Sequence, residues 1–247
     1  MLIRVLLDNL QLKLKFTTLD ANSFVMQFTE QFRQAIQDYT FLLEKKYPEK
    51  AVLELVSTRY SLDHYERSIL YRGITIQVIS DRRMKKLLTI EQLNHQTLHI
   101  DLFNVLFTIA AYLRGFPVYQ ATDGFIRDAS ESHGKGDWEV HLDKALLLIE
   151  DHLPELKILN IVIYLDNLLE FGLAIREKLV EMAKSRDPII GIITDPSPDH
   201  LVREAKDGII ATSDSTIIDK SNLPVFDLPA FIIRQSFNKE IFSLADL

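Results

Sequence analysis

The chain has 247 residues, 47% hydrophobic and 26% charged, enough for one large domain or two small ones with real cores. It contains no cysteine, which excludes disulfides, thiolate chemistry and Cys-based zinc sites. The net charge of −7 is uneven. Residues 1–97 carry 14 Lys and Arg against 11 Asp and Glu, a net of +3, whereas residues 98–247 carry 14 against 24, a net of −10. That asymmetry fits an acidic metal site beside a polyanion-binding module, although charge alone favours the plainer account of two solvated surfaces.

The opening MLIRVLLDNLQLKLKF is apolar, but Asp8, Lys13 and Lys15 interrupt it and no small-residue cleavage site follows. No run reaches the ~20 apolar residues of a membrane helix. The expectation is a soluble, cytoplasmic protein without a membrane partner. Partial alternation over residues 2–16 suggests an edge strand or hairpin arm. Phe24, Phe28, Phe32, Ala35, Ile36, Tyr39, Leu42 and Leu43 then recur at helical spacing, with Pro48 as the stop. A shorter helix carries Ala51, Leu53, Leu55 and Val56. A third is expected through Tyr65, Ile69 and Leu70, N-capped by Ser61 and closed by Gly73. The outline is that of a helix-turn-helix, but such pairs are more often packing units than DNA readers.

From Leu98 onward short β-rich runs alternate with helical stretches, the pattern of βαβ units around a parallel sheet. The expected strands are LHID (98–101), ILNIVIYLD (158–166), IIGIITD (189–195), GIIATSD (208–214) and PVFDLPAFII (224–233). Helices are expected over Val105–Leu113, Leu142–His152, Gly172–Lys184 and near Leu201–Lys206. Residues 115–137, rich in Gly, Asp and Ser, read as a long active-site loop or a hairpin. The division is thus 1–97, mainly a helical module over about 22–90, and 98–247, an α/β domain.

Four of these runs end in aspartate: Asp101, Asp166, Asp195 and Asp214, with Asp219 five residues further on. The carboxyl ends of parallel strands lie along one edge of a sheet, where ligands bind. Clustered carboxylates repel one another unless a cation sits between them, and hard oxygen ligands point to Mg²⁺ or Mn²⁺. Any one aspartate after a strand is more simply a turn former or helix cap, and four in register weaken that account. Asp101 in IDLFN is placed to ligate metal, with Asn104 to orient it or a substrate phosphate. Ser213 and Ser215 flank Asp214 in a polar turn, as substrate contacts. Asp195 and Asp199 in TDPSPD are weaker candidates, explained by a Pro-rich turn. His133 and Lys135 in SHGKG suit a phosphate-holding loop or a plain surface loop. Arg127 and Asp128 in DGFIRD form either a local ion pair or a phosphate clamp and a further metal ligand.

Asp38, Leu42, Leu43, Tyr47, Pro48, Leu53, Leu55, Val56, Arg59, Tyr60 and Leu62, followed by Arg67, Leu70, Tyr71 and Arg72, fit one family pattern. It is D-x-x-x-L-L-x-[RK]-x-Y-P-x-x-x-[AS]-L-x-L-V-x-x-R-Y-x-L ending in R-x-x-L-Y-R, and the segment resembles the helical module called domain of unknown function 434. The second half resembles that family's companion domain through Ile100–Leu106, Asp123–Asp128, Ser197–Asp199 and Ala211–Asp219. The companion is in turn similar to PIN and NYN-type nucleases, which open with I-D-x-x-N and carry a later S-D-x-D or S-x-D-x-D motif. The resemblance implies a PIN-like, Rossmann-like parallel sheet flanked by helices. It also implies metal-dependent RNA cleavage, homodimers, and functional roles for Asp101, Asn104, Asp214 and Asp219, with Asp128 or Asp166 completing the metal shell. Leu102 stands where relatives have Gly, an expected narrowing of access to the metal. NLLEFG replaces the usual Ser/Asn-rich turn after Asp166.

The favoured expectation is a Mg²⁺/Mn²⁺-dependent nuclease acting on RNA. The alternative is a PIN-like module that binds nucleic acid or protein without cleaving it. A haloacid-dehalogenase phosphatase would want an aspartate at position 103, where Phe103 stands.

Overall fold

The computed structural model describes residues 28–130, 138–168, 172–184 and 189–247. Among the described residues the N-terminal module has four α-helices: α1 (Glu30–Glu44), α2 (Glu49–Arg59), α3 (His64–Gly73) and α4 (Gln77–Met84). Thr29, whose side chain accepts from the Phe32 backbone N–H at 3.2 Å, starts α1 later than the apolar stripe suggested. Phe28 lies outside the helix and stacks on Phe32; Phe24 and the alternating residues 2–16 lie outside the described residues. Ser61 is not the cap of α3. Its backbone is left-handed, at φ 48°, whereas a cap needs extended backbone. Asp63 takes that role in a capping box with Glu66. Helix α4 has no regular apolar stripe, which is why periodicity missed it.

The second half is built on β1 (Thr97–Asp101), α5 (Leu102–Leu113), the antiparallel pair β2 (Val118–Gln120) and β3 (Ile126–Asp128), and α6 (Trp138–His152). Then follow β4 (Asn160–Asp166), α7 (Gly172–Ala183), β5 (Ile189–Asp195), α8 (Asp199–Glu204), β6 (Ile209–Ala211), α9 (Ser215–Lys220) and α10 (Leu228–Phe237). The four long-range strands form a parallel sheet in the order β5-β4-β1-β6. The segment expected as a strand over 224–233 is instead, from Leu228 on, helix α10, preceded by isolated bridges from Val225 to Leu87 and to Ile210. Asp227 caps α10 and Pro229, with no N–H to give a ladder, fits its first turn. The Gly/Asp/Ser-rich region is in part the β2–β3 hairpin; residues 131–137 lie outside the described ones.

Leu98, Ile100, Ile161, Ile163, Leu165, Ile209 and Ala211 occupy one sheet face and form the main core with α5, α6, α7 and α10. The other face carries Tyr164 and Ile210 under the two short helices, through Val202 and Ile217. Gly208 turns the chain into β6 with φ +84°, and a Cβ there would stand 2.4 Å from the Thr97 carbonyl oxygen. No helix among the described residues is long and apolar enough to cross a membrane.

The module is joined to this domain by backbone and side chains. Lys86 O accepts from Val225 N at 2.7 Å and Leu88 N donates to Val225 O at 2.8 Å, while Val225 bridges in turn to Ile210 of β6. Gly73 ends α3 where Leu244 and Tyr119 press so close that a Cβ would overlap both.

Candidate functional site

The chain leaves β1 toward β4 and β5 on one side and returns to β6 on the other. The topological switch point is therefore between β1 and β6, where open parallel sheets bind ligands. Register places Ile100 beside Ala211, so the residues just past them meet at that crevice. Thr212, fully buried, donates from Oγ1 to Asp101 Oδ2 at 2.8 Å and accepts from the Asp214 backbone N–H at 3.1 Å. One hydroxyl thus ties together the two strand ends that carry the aspartates. Asn104 Oδ1 accepts from both the backbone N–H (2.8 Å) and Oγ (3.0 Å) of Ser213. That leaves the Asn104 amide nitrogen free for another partner among the described residues.

Asp101 is 7% exposed. Burial pushes its carboxyl up to about 7, the Thr212 hydrogen bond opposes this, and the charges of Asp199 and Asp214 push further in the same direction. Asp199, on the first turn of α8, is also raised, by desolvation first and then by Asp214, with Arg203 opposing and Asp166 adding to the rise. Asp101, Asp199, Asp214 and Asp166 therefore share one electrostatic neighbourhood. Asp166 and Asp195 are direct neighbours in the β4–β5 register, and each accepts from a backbone N–H two residues on, at 2.8 Å. The turn-forming account of these two thus holds locally. Asp214 is the N-cap of α9, accepting through Oδ1 from Thr216 and Ile217 N–H groups. Its Oδ2 has no hydrogen-bond partner among the described residues.

The structure brings Asp101, Asn104, Ser213 and Asp214 together and places Ser215 as the first residue of α9. Several expected members lie elsewhere. Asp219 is at the far end of α9, where Arg83 grips both its oxygens (3.0 and 2.7 Å) and Arg82 adds a third contact at 2.9 Å. Burial opposes its charge, but the two guanidinium groups win and hold its carboxyl below the ordinary range. A carboxylate so paired is not free for metal. Arg127, 3% exposed, is no phosphate clamp, and its partner is not Asp128. It forms a bidentate pair with Asp123, 2.8 Å on both arms. Asp128 is 2% exposed, accepts from Ser130 N and Oγ, and stands 3.8 Å from Arg72, which removes it from the metal shell. His133 and Lys135 lie outside the described residues. Leu102 is fully buried in the main core, so its bulk is absorbed there.

Thr212 and Asp199 are the members that sequence reasoning passed over or discounted. Thr212 sits inside the ATSDSTIID motif, but only the sheet register shows that its hydroxyl faces Asp101. His99, two residues before Asp101, is not a ligand. Its Nε2 donates to the Asp207 carbonyl at 3.0 Å, so Nδ1 is left to accept from the Tyr164 hydroxyl at 3.0 Å.

A model described as Domain of unknown function (DUF5616) matches residues 90–231. The chain belongs to the DUF5616 family. Preceding this domain, residues 31–86 match a model described as Protein of unknown function (DUF434). An uncharacterised protein of Methanocaldococcus jannaschii is 28% identical over 206 residues, covering 81% of this chain and 96% of that protein. No solved structure matches. Within the DUF5616 domain fall β1 to β6 and the whole acidic crevice; the DUF434 match spans α1 to α4.

Proposed function

We propose that this protein is a Mg²⁺- or Mn²⁺-dependent phosphodiesterase acting on RNA, with the β1–β6 crevice as its reaction centre. The observation that carries the reading is Asp101. Its carboxyl is nearly buried, its pKa is raised to about 7, and the neighbours that act on it among the described residues are the Thr212 hydroxyl, the Asn104 backbone and the carboxylates of Asp199 and Asp214. A bound cation is the usual compensation for such an arrangement. The likeness of the Asp101/Asn104 and Ser213–Asp214 motifs to PIN-type nucleases supports the same reading.

The donor set fits a hard cation in chemistry: carboxylate, amide and hydroxyl oxygens without His or Cys. Among the described residues no three acidic or imidazole groups stand close enough to share one ion as they are. That suits Mg²⁺ held by one or two carboxylates with water and substrate phosphate completing its shell. Asp101 and Asp214 would hold it, and when bound it would supply charge neutralisation at the phosphoryl group and an acidified water. Thr212 holds Asp101 in place, and the Asn104 amide nitrogen is positioned to donate to a substrate phosphate oxygen. The mildly basic first 97 residues, net +3, support a second reading, a module that binds RNA without cleaving it.

Cleavage of a fluorescent single-stranded RNA with Mn²⁺ separates the two. Wild type is expected to cleave, Asp101→Asn and Asp214→Asn to lose on the order of 100-fold or more, and Asp195→Asn to stay near wild type. Cleavage that persists in the Asp101→Asn, Asp214→Asn double variant overturns the site. RNA binding with no cleavage in any metal favours the second reading.

A further inference from the structure

We propose that Lys86, with Arg83 and Arg82, is a positioning clamp for the acidic crevice: the helical module sets where Asp214 stands by gripping the opposite end of the helix that Asp214 caps. The proposal rests on the reading of the crevice as the functional site.

Helix α9 has six residues, about 9 Å of helix, too short to hold its own position. Its N-terminal end is the crevice, through the cap at Asp214. Its C-terminal end is held by one five-residue stretch of the module. Lys86 Nζ donates to the Ile218 and Ser221 carbonyl oxygens, both at 2.6 Å. Arg83 and Arg82 take both oxygens of Asp219. Arg83 is itself anchored to buried Asp123 at 2.9 Å, and Asp123 to Arg127. Three cations at a helix C-terminus complement its dipole, and the bidentate guanidinium–carboxylate contact fixes its direction. Ile217 and Ile218 are buried, so α9 moves as a unit between its two ends. Displacement at Lys86 is transmitted to the Asp214 carboxylate and, through the Asp214 N–H bond, to Thr212.

The test uses the full chain, with Lys86→Met, Lys86→Arg and, as a remote surface control, Lys178→Ala. The first readout needs no metal: amide hydrogen exchange at Ile217, whose N–H donates to Asp214 Oδ1, and at Ile218, whose N–H donates to Asp214 O. Lys86→Met is expected to speed exchange there about tenfold while Ile100 and Ile163 stay protected. The second readout is Mn²⁺ affinity by electron paramagnetic resonance, expected to weaken about tenfold in Lys86→Met. Lys86→Arg should restore both, and Lys178→Ala should change neither. Unchanged exchange at Ile217 and Ile218 overturns the clamp. Faster exchange with unchanged Mn²⁺ affinity also overturns it, since the contact is then structural only. A wild-type protein that binds no Mn²⁺ overturns the reading of the crevice instead, and the exchange arm alone then decides whether Lys86 sets Asp214. If Lys86→Met fails to fold, Asp219→Asn releases the same helix end and is held to the same outcomes.

Discussion

Asp101 concentrates the electrostatic tension of the molecule. Its folded-state pKa, about 7, lies above the ordinary carboxyl value, so the folded protein binds more protons than the unfolded chain between about pH 4 and 7. Its contribution to stability therefore falls as pH rises through that window. Asp227, raised by burial to about 6, adds the same trend over a narrower range. Asp101→Asn removes the first penalty and keeps an oxygen for the Thr212 hydroxyl. In thermal melts with chelator it should raise Tm at pH 8, by up to roughly 4 kcal/mol of stability, and change little at pH 4. A lower Tm at pH 8 would mean that a compensating charge faces Asp101. The same reasoning predicts that Mn²⁺ raises wild-type Tm more at pH 8 than at pH 5, because at pH 5 a proton already occupies the carboxyl. Equal shifts at both pH values would place the ion elsewhere.

The short elements around the crevice are held by side chains rather than by their own length. Asp227 shows this best: Oδ1 caps α10 through Ala230 N–H at 2.9 Å, and Oδ2 accepts from Ile126 N–H of the hairpin at 2.7 Å. Asp227→Ala leaves two buried N–H groups without partners and should cost about 2–5 kcal/mol in urea unfolding at pH 7, whereas Asp227→Asn keeps one of the two acceptors and should recover about half of it at most. Equal losses in both variants would mean that both carboxylate oxygens are needed together. At this scale much was legible beforehand. The alternation of β-rich and helical runs gave β1, β4, β5 and β6 and four of the following helices to within a few residues, because burial on one sheet face leaves a periodic record in each segment. The strand expected over 224–233 was misread because a run of buried apolar residues looks alike in a strand and a buried helix; Asp227 and Pro229 were the signals to weigh.

Across the whole molecule, the two family matches meet over an interface that is partly apolar and partly ionic. Arg83 is 12% exposed at its side chain and Asp123 1%, so the pair is closed off from solvent. Around it Phe125, Ile218 and Val225 pack with Leu87 of the linking segment. A fragment of residues 90–247 would expose these side chains, strip Asp219 of Arg82 and Arg83, and leave Asp123 with Arg127 alone. It is expected to bind a hydrophobic dye or aggregate, while the full chain melts in one calorimetric transition. A monomeric, cooperatively folded fragment would show the module to be dispensable for the fold.

The sequence by itself determined the strands of the parallel sheet, most of the helices between them and the delivery of Asp101 and Asp214 to one end of the sheet, because side-chain periodicity and strand-end position are local properties. It could not determine which of the remaining acidic residues belong to the crevice. Asp219 and Asp128 look equivalent to Asp214 in a string of letters. Tertiary structure separates them, since a carboxylate's role depends on whether a distant arginine or another carboxylate is folded against it. Arg83 and Asp219 are 136 residues apart, and Thr212 and Asp101 are 111 apart. Contacts over those separations leave no periodic trace, and they decide which aspartates are held as ion pairs and which face other carboxylates.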